Sequence, residues 1–527
     1  MARLRSPAAL PLADLVRLLL ARAQPLRTRD KNSNYAIMST AASGEASQPV
    51  RLMSPPGLAA RLGWPFRRYA FGANFLFVEE QSLMGDFASF IAALQEQVPQ
   101  TAVLLDSATL QRYAVDEMQP RAVIMPSSTE EAAQVVALAH QYQVSLLPRG
   151  GGTHLGLGGV PTSLDAVIEL TRLSRLLEHE AADLTCQAEA GITLAALQRQ
   201  LATRGQRLAL DPPHAEQATI GGILATNASG PRRLRYGTAR DLVIGLRTIQ
   251  ADGEIARSGG RVVKNVAGYD LNKLYIGSLG TLAIIVEANF KLHPLPAAER
   301  TLLLTFPAVT EAMRLVSAVL GSVLTPTAIE LLDGSAARAI ATRAGLSLPA
   351  NGYTLAFDFE GSLSAIHRQM DETRLLARQH GALMGEDLQG AEQEAFWEAV
   401  RAQTSGELTC KATMLITSIA AYLQFAEQLC RRLNLELAAV AHAGSGIVYL
   451  ELRPAEVSSE LLEALRLLRQ QAQEGKGSLV IERAPTALKR QIDVWGPVGS
   501  DFPLMQRLKQ RFDPGGIFVK GRFVGGL

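Results

Sequence analysis

Three glycine-rich clusters between Pro148 and Ile285 restrict the folds open to this chain of 527 residues. They read Pro148-Arg-Gly-Gly-Gly-Thr-His-Leu-Gly156, then Thr219-Ile-Gly-Gly-Ile-Leu-Ala-Thr-Asn-Ala-Ser-Gly230, then Lys264-Asn-Val-Ala-Gly-Tyr-Asp-Leu-Asn-Lys273 with Gly277-Ser-Leu-Gly-Thr-Leu-Ala-Ile-Ile285. Glycine tolerates positive φ, so such loops can turn several backbone N–H groups toward one anion. The pattern predicts loops that approach a ligand closely.

The first cluster lacks the spacing of the common nucleotide-binding loops. A Rossmann fingerprint has glycines at i, i+2 and i+5, whereas the sixth position counted from Gly150 is Leu155. The Gly-Lys-Ser/Thr of a P-loop is also missing. These departures disfavour an NAD-dependent dehydrogenase. Taken alone, the first cluster is compatible with an anion-binding nest and with a tight turn that holds no ligand.

The second and third clusters each allow two interpretations. Thr219 is predicted to cap a helix that begins at Gly221 and Gly222, where unpaired amides and the positive end of the helix dipole favour a phosphate. Asn227 and the residues after it are expected to end this helix, and the alternative is a packed helix and turn without a ligand. The third cluster leads into an apolar strand and could lay backbone against a flat ring, or form a plain hairpin.

Composition and charge exclude several classes of protein. The 52 Lys and Arg against 50 Asp and Glu give a net charge of +2, so we expect no nucleic-acid partner. The three cysteines cannot build a disulfide framework or hold an iron–sulfur cluster, which needs four thiolates. They favour a reducing, cytoplasmic compartment, with peripheral attachment to the inner membrane as a variant. No apolar run reaches the length of a membrane span.

Composition and the predicted order of strands and helices divide the chain into four segments. Residues 1–84 are rich in arginine and poor in acid, as in a targeting peptide or an over-extended start before an initiator at Met84. Residues 86–296 alternate strands and helices and form the predicted first domain. Residues 297–475 predict a second domain, with a mainly antiparallel sheet covered by helices on one face. Residues 476–527 are expected to return to the first domain.

The order and spacing of the three clusters resemble the FAD-binding domain of the p-cresol methylhydroxylase/vanillyl-alcohol oxidase superfamily, from Gln119 to Pro296. The resemblance implies an α+β fold, with a two-lobed FAD-binding domain and a C-terminal cap domain. It also implies that the first loop grips the pyrophosphate of FAD and that the other two line its adenosine and isoalloxazine parts. The implied cofactor contacts are Pro148, Arg149, Gly150, Gly151, Gly152, Thr153, His154, Pro212, Thr219, Gly221, Gly222, Asn227, Ser229, Gly230, Gly237, Lys264, Gly268, Tyr269, Gly280 and Ile285.

Some members of the superfamily tether the flavin covalently through a histidine directly after the glycines. In this chain Thr153 intervenes, so we expect FAD to be bound non-covalently and His154 to hydrogen-bond or face solvent. Three basic side chains, Lys273, Arg235 and Arg240, could neutralise a substrate carboxylate or the flavin, or could simply form surface ion pairs.

Within the superfamily, the chain is similar to the bacterial glycolate oxidase and D-lactate dehydrogenase group, and above all to the smaller FAD-binding subunit of glycolate oxidase. The segments that carry this likeness are Ser229-Gly-Pro-Arg-Arg-Leu-Arg-Tyr-Gly-Thr238, Gly260-Arg-Val-Val-Lys-Asn-Val-Ala-Gly-Tyr-Asp270, Phe512-Asp-Pro-Gly-Gly-Ile517 and Gly521-Arg-Phe-Val-Gly-Gly526. The likeness implies a part in oxidising a small 2-hydroxy acid such as glycolate or D-lactate.

The chain departs from its catalytic relatives at one motif. They carry His-x-Gly-Asp-Gly-Asn-x-His, which positions a divalent metal and the hydroxy acid, followed by Glu-His-Gly; here the motif reads His442-Ala-Gly-Ser-Gly-Ile-Val-Tyr449. One histidine beside an isoleucine is a poor set of ligands, so we expect no metal.

Two functions therefore remain open. In the first, the chain is itself a dehydrogenase, with His442 and Tyr449 as acid/base or substrate-binding groups. In the second, it is an FAD-bearing non-catalytic subunit beside a catalytic flavoprotein and an iron–sulfur protein. A structural module that lost its cofactor is disfavoured by the intact glycine clusters.

Overall fold

A computed structural model describes residues 86–261, 269–349, 351–453 and 456–527 of the chain. The predicted N-terminal extension over residues 1–84, and the predicted cofactor contacts Lys264 and Gly268, lie outside the described residues. Among the helices of the described ranges, none combines the length and the apolar character that crossing a membrane requires.

The described residues form a mixed α+β structure, as the sequence predicts. The strands are β1 (Ala102–Leu104), β2 (Ala122–Met125), β3 (Leu146–Arg149), β4 (Ala166–Glu169), β5 (Leu176–Glu180), β6 (Thr185–Glu189), β7 (Gln206–Arg207), β8 (Val243–Ile249), β9 (Ile255–Gly259), β10 (Ile284–Lys291), β11 (His293–Pro294), β12 (Ala298–Phe306), β13 (Ala328–Leu332), β14 (Tyr353–Gly361), β15 (Met384–Leu388), β16 (Thr409–Thr413), β17 (Glu436–His442), β18 (Ile447–Arg453) and β19 (Ser478–Arg483). The α-helices are α1 (Phe87–Gln97), α2 (Ser107–Gln111), α3 (Thr129–Tyr142), α4 (Leu194–Ala202), α5 (Ile220–Thr226), α6 (Arg233–Tyr236), α7 (Ala239–Leu242), α8 (Asn272–Tyr275), α9 (Val309–Leu320), α10 (Gly334–Ala344), α11 (Leu363–Gln379), α12 (Gly390–Gln403), α13 (Ile419–Arg432), α14 (Ser459–Glu474), α15 (Thr486–Lys489) and α16 (Phe502–Phe512).

A four-stranded sheet, in the order β1-β2-β4-β3, begins the first domain. The Ser128 hydroxyl accepts a hydrogen bond from the Glu131 amide over 3.1 Å, so α3 begins where its capping residue predicts. Strand β3 runs through Pro148 to Arg149, although the sequence predicts that it stops at the proline. Because β3 is the edge strand of this sheet, the missing proline N–H removes no bond between its strands.

A second sheet completes the two lobes of the first domain. It is antiparallel and five-stranded, in the order β5-β6-β10-β8-β9. Helices α4 and α5 bury their apolar side chains against it, with Leu197, Leu201 and Leu224 in the same core as Phe290. The first glycine cluster follows β3 of one lobe, and α5 belongs to the other lobe.

The second domain is built on one antiparallel sheet of eight strands, in the order β15-β12-β14-β13-β17-β18-β16-β19. Helices α9, α11, α13 and α14 cover one face, where Leu302, Phe357 and Leu450 lie in the core. Helices α10 and α12 cover part of the other face, over Leu303 and Ala356. The prediction that only one face is covered is therefore wrong, because the sequence pattern did not reveal these two helices.

The predicted boundary at Gly475 is also wrong. Strand β19, over Ser478–Arg483, pairs with β16 and belongs to the eight-stranded sheet. Beyond it the chain returns to the first domain, where the Leu146 amide donates to Ile517 O over 2.7 Å. The Gly159 amide likewise donates to Arg522 O over 3.0 Å.

Buried charges join the two domains. Arg207 of the first domain contacts Glu299 at 3.0 Å and Glu360 at 2.5 Å, and Arg232 contacts Glu299 at 3.0 Å. Asp358 lies in the same carboxylate cluster. The arginines supply the positive charge that three clustered carboxyl groups require.

Asp358 gives this interface a testable dependence on pH. Burial raises the pKa of Asp358 to about 7 from 3.8. The folded protein therefore keeps a proton that the unfolded chain has released, and the folded state loses stability as the pH rises from about 4 to about 7. In the variant Asp358→Asn, this loss, about 3 kcal/mol between pH 5 and pH 8, is expected to disappear.

Thermal or urea unfolding at several pH values measures the effect of Asp358→Asn. Asparagine keeps the oxygen that accepts from Gln393 over 3.0 Å and from Thr301 over 3.2 Å, so the fold should survive the change. Equal pH dependence in the variant and the wild type would show that Asp358 is ionised in the folded protein.

Candidate functional site

The first glycine cluster lies directly against the start of α5. A Cβ atom on Gly150 would lie 1.9 Å from Thr219 Oγ1, and one on Gly151 would lie 1.7 Å from Gln217 O. Thr219 caps α5 as predicted, because its hydroxyl accepts from the Gly222 amide over 3.3 Å. Only glycine allows the loop and the helix to approach this closely.

The loop and the helix line two adjoining clefts. Of the predicted cofactor contacts, the clefts bring together Pro148, Arg149, Gly150, Gly151, Gly152, Thr153, His154, Thr219, Gly221, Gly222, Gly280 and Ile285. The amides from Gly150 to His154 make no hydrogen bond within the described residues. A run of unpaired N–H groups beside a cleft suits an anionic ligand such as a pyrophosphate.

The C-terminal segment holds the carbonyl groups of this loop. Arg522 donates to Leu155 O over 2.8 Å and to Leu157 O over 2.6 Å, and Lys489 donates to Gly156 O over 2.7 Å. Arg483 donates to Thr153 O. Three cationic side chains thus bond four carbonyl groups of the loop and tie it to the C-terminal part of the chain.

Arg522 is a site residue that the sequence did not reveal. It is 4 % exposed and lines the first cleft, and its Nη1 has no hydrogen-bond partner within the described residues. This Nη1 lies 3.8 Å from Asp116 Oδ2, which partly balances its charge without a hydrogen bond, so Nη1 keeps a donor that could reach a phosphate oxygen. In the sequence, Arg522 is marked only by its place in the family-like ending Gly521-Arg-Phe-Val-Gly-Gly526. That ending does not indicate that Arg522 contacts a loop some 365 residues earlier.

Replacing Arg522 with glutamine is expected to weaken cofactor binding about 10- to 100-fold, since hydrogen bonds to a charged group contribute about 1.5–3 kcal/mol. Titration of the apoprotein with FAD, followed by quenching of flavin fluorescence, measures this change. Arg522→Lys, which keeps the charge, should show a smaller loss. Unchanged affinity in Arg522→Gln would assign Arg522 a purely structural role.

The remaining predicted cofactor contacts do not line the two clefts. Asn227 ends α5 with φ of 51°, and its buried Oδ1 has no partner within the described ranges. Ser229 accepts a hydrogen bond from Arg233 over 3.0 Å, and Gly230 lies against the backbone of Asp211. Pro212 is buried, Gly237 ends α6 with φ of 77°, and Tyr269 is 39 % exposed.

The other predicted basic residues lie outside the clefts as well. Lys273 pairs with Asp270 at 3.1 Å, Arg235 is exposed, and Arg240 donates to Lys273 O. His154 lines the first cleft, with its Nδ1 3.2 Å from Thr153 Oγ1. Burial lowers the pKa of His154 to about 4, so its ring is neutral at neutral pH.

The second feature of the site is a row of polar side chains across five neighbouring strands. Glu330 on β13 pairs with His442 on β17, and Tyr449 on β18 pairs with Lys411 on β16. Glu482 extends the row on β19. We call Glu330, His442, Tyr449, Lys411 and Glu482 the polar row. The sequence predicted His442 and Tyr449 from their motif, and it did not reveal the other three.

His442 is the buried centre of the polar row. Its Nδ1 lies 2.8 Å from both carboxyl oxygens of Glu330, and its Nε2 has no partner within the described residues. Burial, aided by the charge of Arg233, lowers the pKa of His442 to about 3. Burial also raises the pKa of Glu330 well above its usual range. The imidazole is therefore neutral, and none of the described residues bonds to its Nε2.

Tyr449 and Lys411 continue the row toward Glu482. The rings of Tyr449 and His442 meet edge to face at 5.2 Å, and Lys411 Nζ lies 5.6 Å from the Tyr449 ring centre. Lys411 contacts Glu482 at 3.1 Å. Burial by itself would lower the pKa of Lys411, but Glu482 and Tyr449 raise that pKa by more. The pKa is therefore above its usual value, and this lysine is charged. Burial raises the pKa of Tyr449, which keeps its hydroxyl protonated.

The donor set of this face does not suit a divalent metal. The Nδ1 of His442 is already bonded to Glu330, and Ile447 beside it offers no ligand atom. A protonated tyrosine is a weak ligand, and the Lys411 ammonium would repel a cation. Glu482, seven residues after Gly475, does not supply a metal ligand either, because its carboxylate is paired with the Lys411 ammonium.

Two family models match the chain. One, described as an FAD binding domain, covers residues 120–259, and the other, described as the C-terminal domain of FAD linked oxidases, covers residues 295–482. The first range contains the first two glycine clusters and the second contains the polar row, while the third cluster lies between the two ranges.

Curated relatives match over most of their length. The chain is 29 % identical to the glycolate oxidase subunit GlcD of Bacillus subtilis over 420 residues, which is 77 % of this chain and 89 % of the relative. It is 30 % identical to a D-lactate dehydrogenase of Archaeoglobus fulgidus over 437 residues, which is 78 % of this chain and 95 % of the relative.

Solved structures share the fold at lower identity. The 4-ethylphenol oxidase of Gulosibacter chungangensis superposes with a TM-score of 0.67 at 18 % identity, covering 83 % of this chain and 98 % of that one. A p-cresol methylhydroxylase superposes with a TM-score of 0.66 at 16 % identity, covering 84 % and 96 %.

Proposed function

Because the chain belongs to the family of FAD-linked oxidases, we propose that it oxidises a small 2-hydroxy acid, with glycolate and D-lactate as the first candidates. Membership of the family confirms the predicted FAD cofactor and the oxidoreductase class. The observation that carries the choice of substrate class is the buried, neutral His442, whose Nε2 has no partner within the described residues. The names of the GlcD and D-lactate dehydrogenase relatives support the same class.

The loop of the first glycine cluster and Arg522 would hold the pyrophosphate of FAD. When bound, FAD would supply the acceptor for a hydride, that is, the Cα hydrogen together with the two electrons of its bond. His442 Nε2 would take the proton of the substrate hydroxyl as the Cα–H bond breaks, and the second product is the 2-oxo acid. For Nε2 to accept this proton, His442 would carry its own proton on Nδ1 and donate it to a Glu330 oxygen at 2.8 Å. The raised pKa of Glu330 would favour uptake of the Nδ1 proton as Nε2 is protonated, so that the ring ends neutral. Tyr449 would donate its hydroxyl to an oxygen of the substrate.

We propose that this reaction needs no divalent metal, since the motif from His442 to Tyr449 offers a poor ligand set. Dialysis against a chelator is expected to leave turnover within about twofold of the untreated value, as no step depends on a bound cation. Addition of Mn²⁺ or Zn²⁺ should not raise it. Loss of turnover on chelation and its return with one metal would show that this face binds a cation after all.

A second candidate function is supported by the same motif. A chain whose metal-binding motif has been replaced fits an FAD-bearing subunit that works beside a catalytic flavoprotein and an iron–sulfur protein. One relative, GlcD, is itself named as a subunit of glycolate oxidase. The intact polar row favours the first candidate, because a non-catalytic subunit has no need of a buried base.

Steady-state assays with a redox dye as the electron acceptor test the proposal. The chain alone, supplied with FAD, should reduce the dye with glycolate or D-lactate and should not do so with the corresponding 2-oxo acids. Turnover that appears only after a flavoprotein or iron–sulfur partner is added would support the second candidate.

A further inference from the structure

A 2-hydroxy acid carries a carboxylate, and we propose that Arg233 binds it. This inference rests on the proposed substrate class and assigns a role to one residue of the basic segment Ser229–Thr238. It is carried by the arrangement of three arginines on and beside the short helix α6.

The three arginines have different partners. Arg232 is held by Glu299 at 3.0 Å and by Glu360 at 3.6 Å. Arg235 is exposed and donates to Thr325 O. Arg233 is partly buried and donates to the Ser229 hydroxyl over 3.0 Å, and no carboxylate of the described residues lies within salt-bridge distance of it. Its charge is therefore available to a ligand.

Helix α6 places Arg233 close to the polar row. It packs against β13, which carries Glu330. The next residue, Leu234, touches the turn that follows His442, where a Cβ on Gly444 would lie 2.9 Å from the leucine side chain. The positive charge of Arg233 lowers the pKa values of Glu330, His442 and Lys411, which shows that its field reaches the middle of the row.

When the charged groups in and around the polar row are paired with their partners, one positive charge is left that could pair with an anion. Lys411 is matched by Glu482 at 3.1 Å. Asp211, whose charge also acts on His442, accepts from the Arg232 amide over 3.0 Å. Arg233 is thus a cation without a matching carboxylate beside a buried base. A guanidinium binds a carboxylate through two parallel hydrogen bonds, which would also orient the hydroxyl group toward His442.

Oxalate, a dicarboxylate with no hydrogen to lose, is the probe that tests this assignment. Its binding to the FAD-loaded protein is measured by the perturbation of the flavin absorbance. We expect Arg233→Gln to raise the dissociation constant of oxalate about 10- to 100-fold, and Arg233→Lys to raise it less. The matched control Arg235→Gln, two residues along the same helix, should stay within about twofold of the wild type. If the protein oxidises a 2-hydroxy acid, the KM for that acid should also rise most in Arg233→Gln, less in Arg233→Lys and within about twofold in Arg235→Gln.

An unchanged oxalate affinity in Arg233→Gln, or the absence of oxalate binding to the wild type, would overturn the assignment. If Arg233→Gln fails to retain FAD, the comparison between Arg233→Lys and the wild type decides it. If oxalate binding depends on Arg233 while no 2-hydroxy acid is oxidised, the carboxylate site stands and the proposed function fails.

Discussion

Replacing His442 with asparagine is expected to slow the reduction of bound flavin by a 2-hydroxy acid about 10³-fold, because a positioned general base contributes about 10²–10⁴-fold. His442 alone among the members of the polar row combines a neutral ring with a buried nitrogen that has no partner within the described part of the chain. Asparagine retains a polar group of similar size near Glu330 but has no nitrogen able to accept the proton of the substrate.

Stopped-flow absorbance under anaerobic conditions measures this rate directly. The exposed His367 on α11 provides a matched control, since His367→Asn makes the same chemical change far from the row in the sequence and on a different element. Both variants should keep the flavin spectrum and flavin content of the wild type. A rate in His442→Asn within tenfold of the wild type would exclude His442 as the base.

The second large effect is expected at Gly222. This glycine lines both clefts, and a Cβ placed on it would have Thr219 Oγ1 at 3.3 Å as its nearest neighbour, which the fold can tolerate. In Gly222→Leu, the added side chain would occupy the space of the cofactor. We therefore expect the purified protein to contain almost no FAD and its apparent affinity for added FAD to fall at least 100-fold, about 2.7 kcal/mol.

Folding and cofactor loss can be separated in this variant. Gly475→Leu, at the end of α14, is a matched control, because its Cβ would also meet nothing closer than about the same distance, with Ala472 O at 3.4 Å and Gln471 O at 3.6 Å. Circular dichroism of the Gly222→Leu apoprotein should match that of the wild-type apoprotein. Only the rise in melting temperature that FAD causes in the wild type should be missing. Retention of full FAD occupancy would show that the cofactor does not lie against α5.

Local chemistry explains what the sequence predicted well. The Ser128 cap and the Thr219 cap each depend on residues three positions apart, and both helices begin as expected. The glycine clusters predicted a ligand-binding loop because glycine is required wherever the backbone must pass as close as Gly151 does to Gln217. Because these signals are local, they can be recognised in the sequence without knowledge of the tertiary structure.

The polar row could not be predicted, because strand pairing brings it together. Glu330 lies 112 residues before His442 in the sequence, on a strand that the hydrophobic pattern did not reveal. Lys411 and Glu482 join the row only through the order β18-β16-β19, which no local pattern fixes. Arg522 reaches the first glycine loop for the same reason, through the return of the C-terminal segment. Long-range pairing thus completes a site of which the motifs show only His442 and Tyr449.

Anaerobic mixing of the purified, FAD-loaded chain with glycolate or D-lactate tests the central claim most directly. If the chain is itself a 2-hydroxy acid dehydrogenase, the visible flavin absorbance should bleach without any partner protein and return when air is admitted or a dye is added. If the flavin remains oxidised with every small 2-hydroxy acid tried, while the same FAD is bleached by dithionite, the claim is contradicted. The chain would then be assigned as a cofactor-bearing subunit.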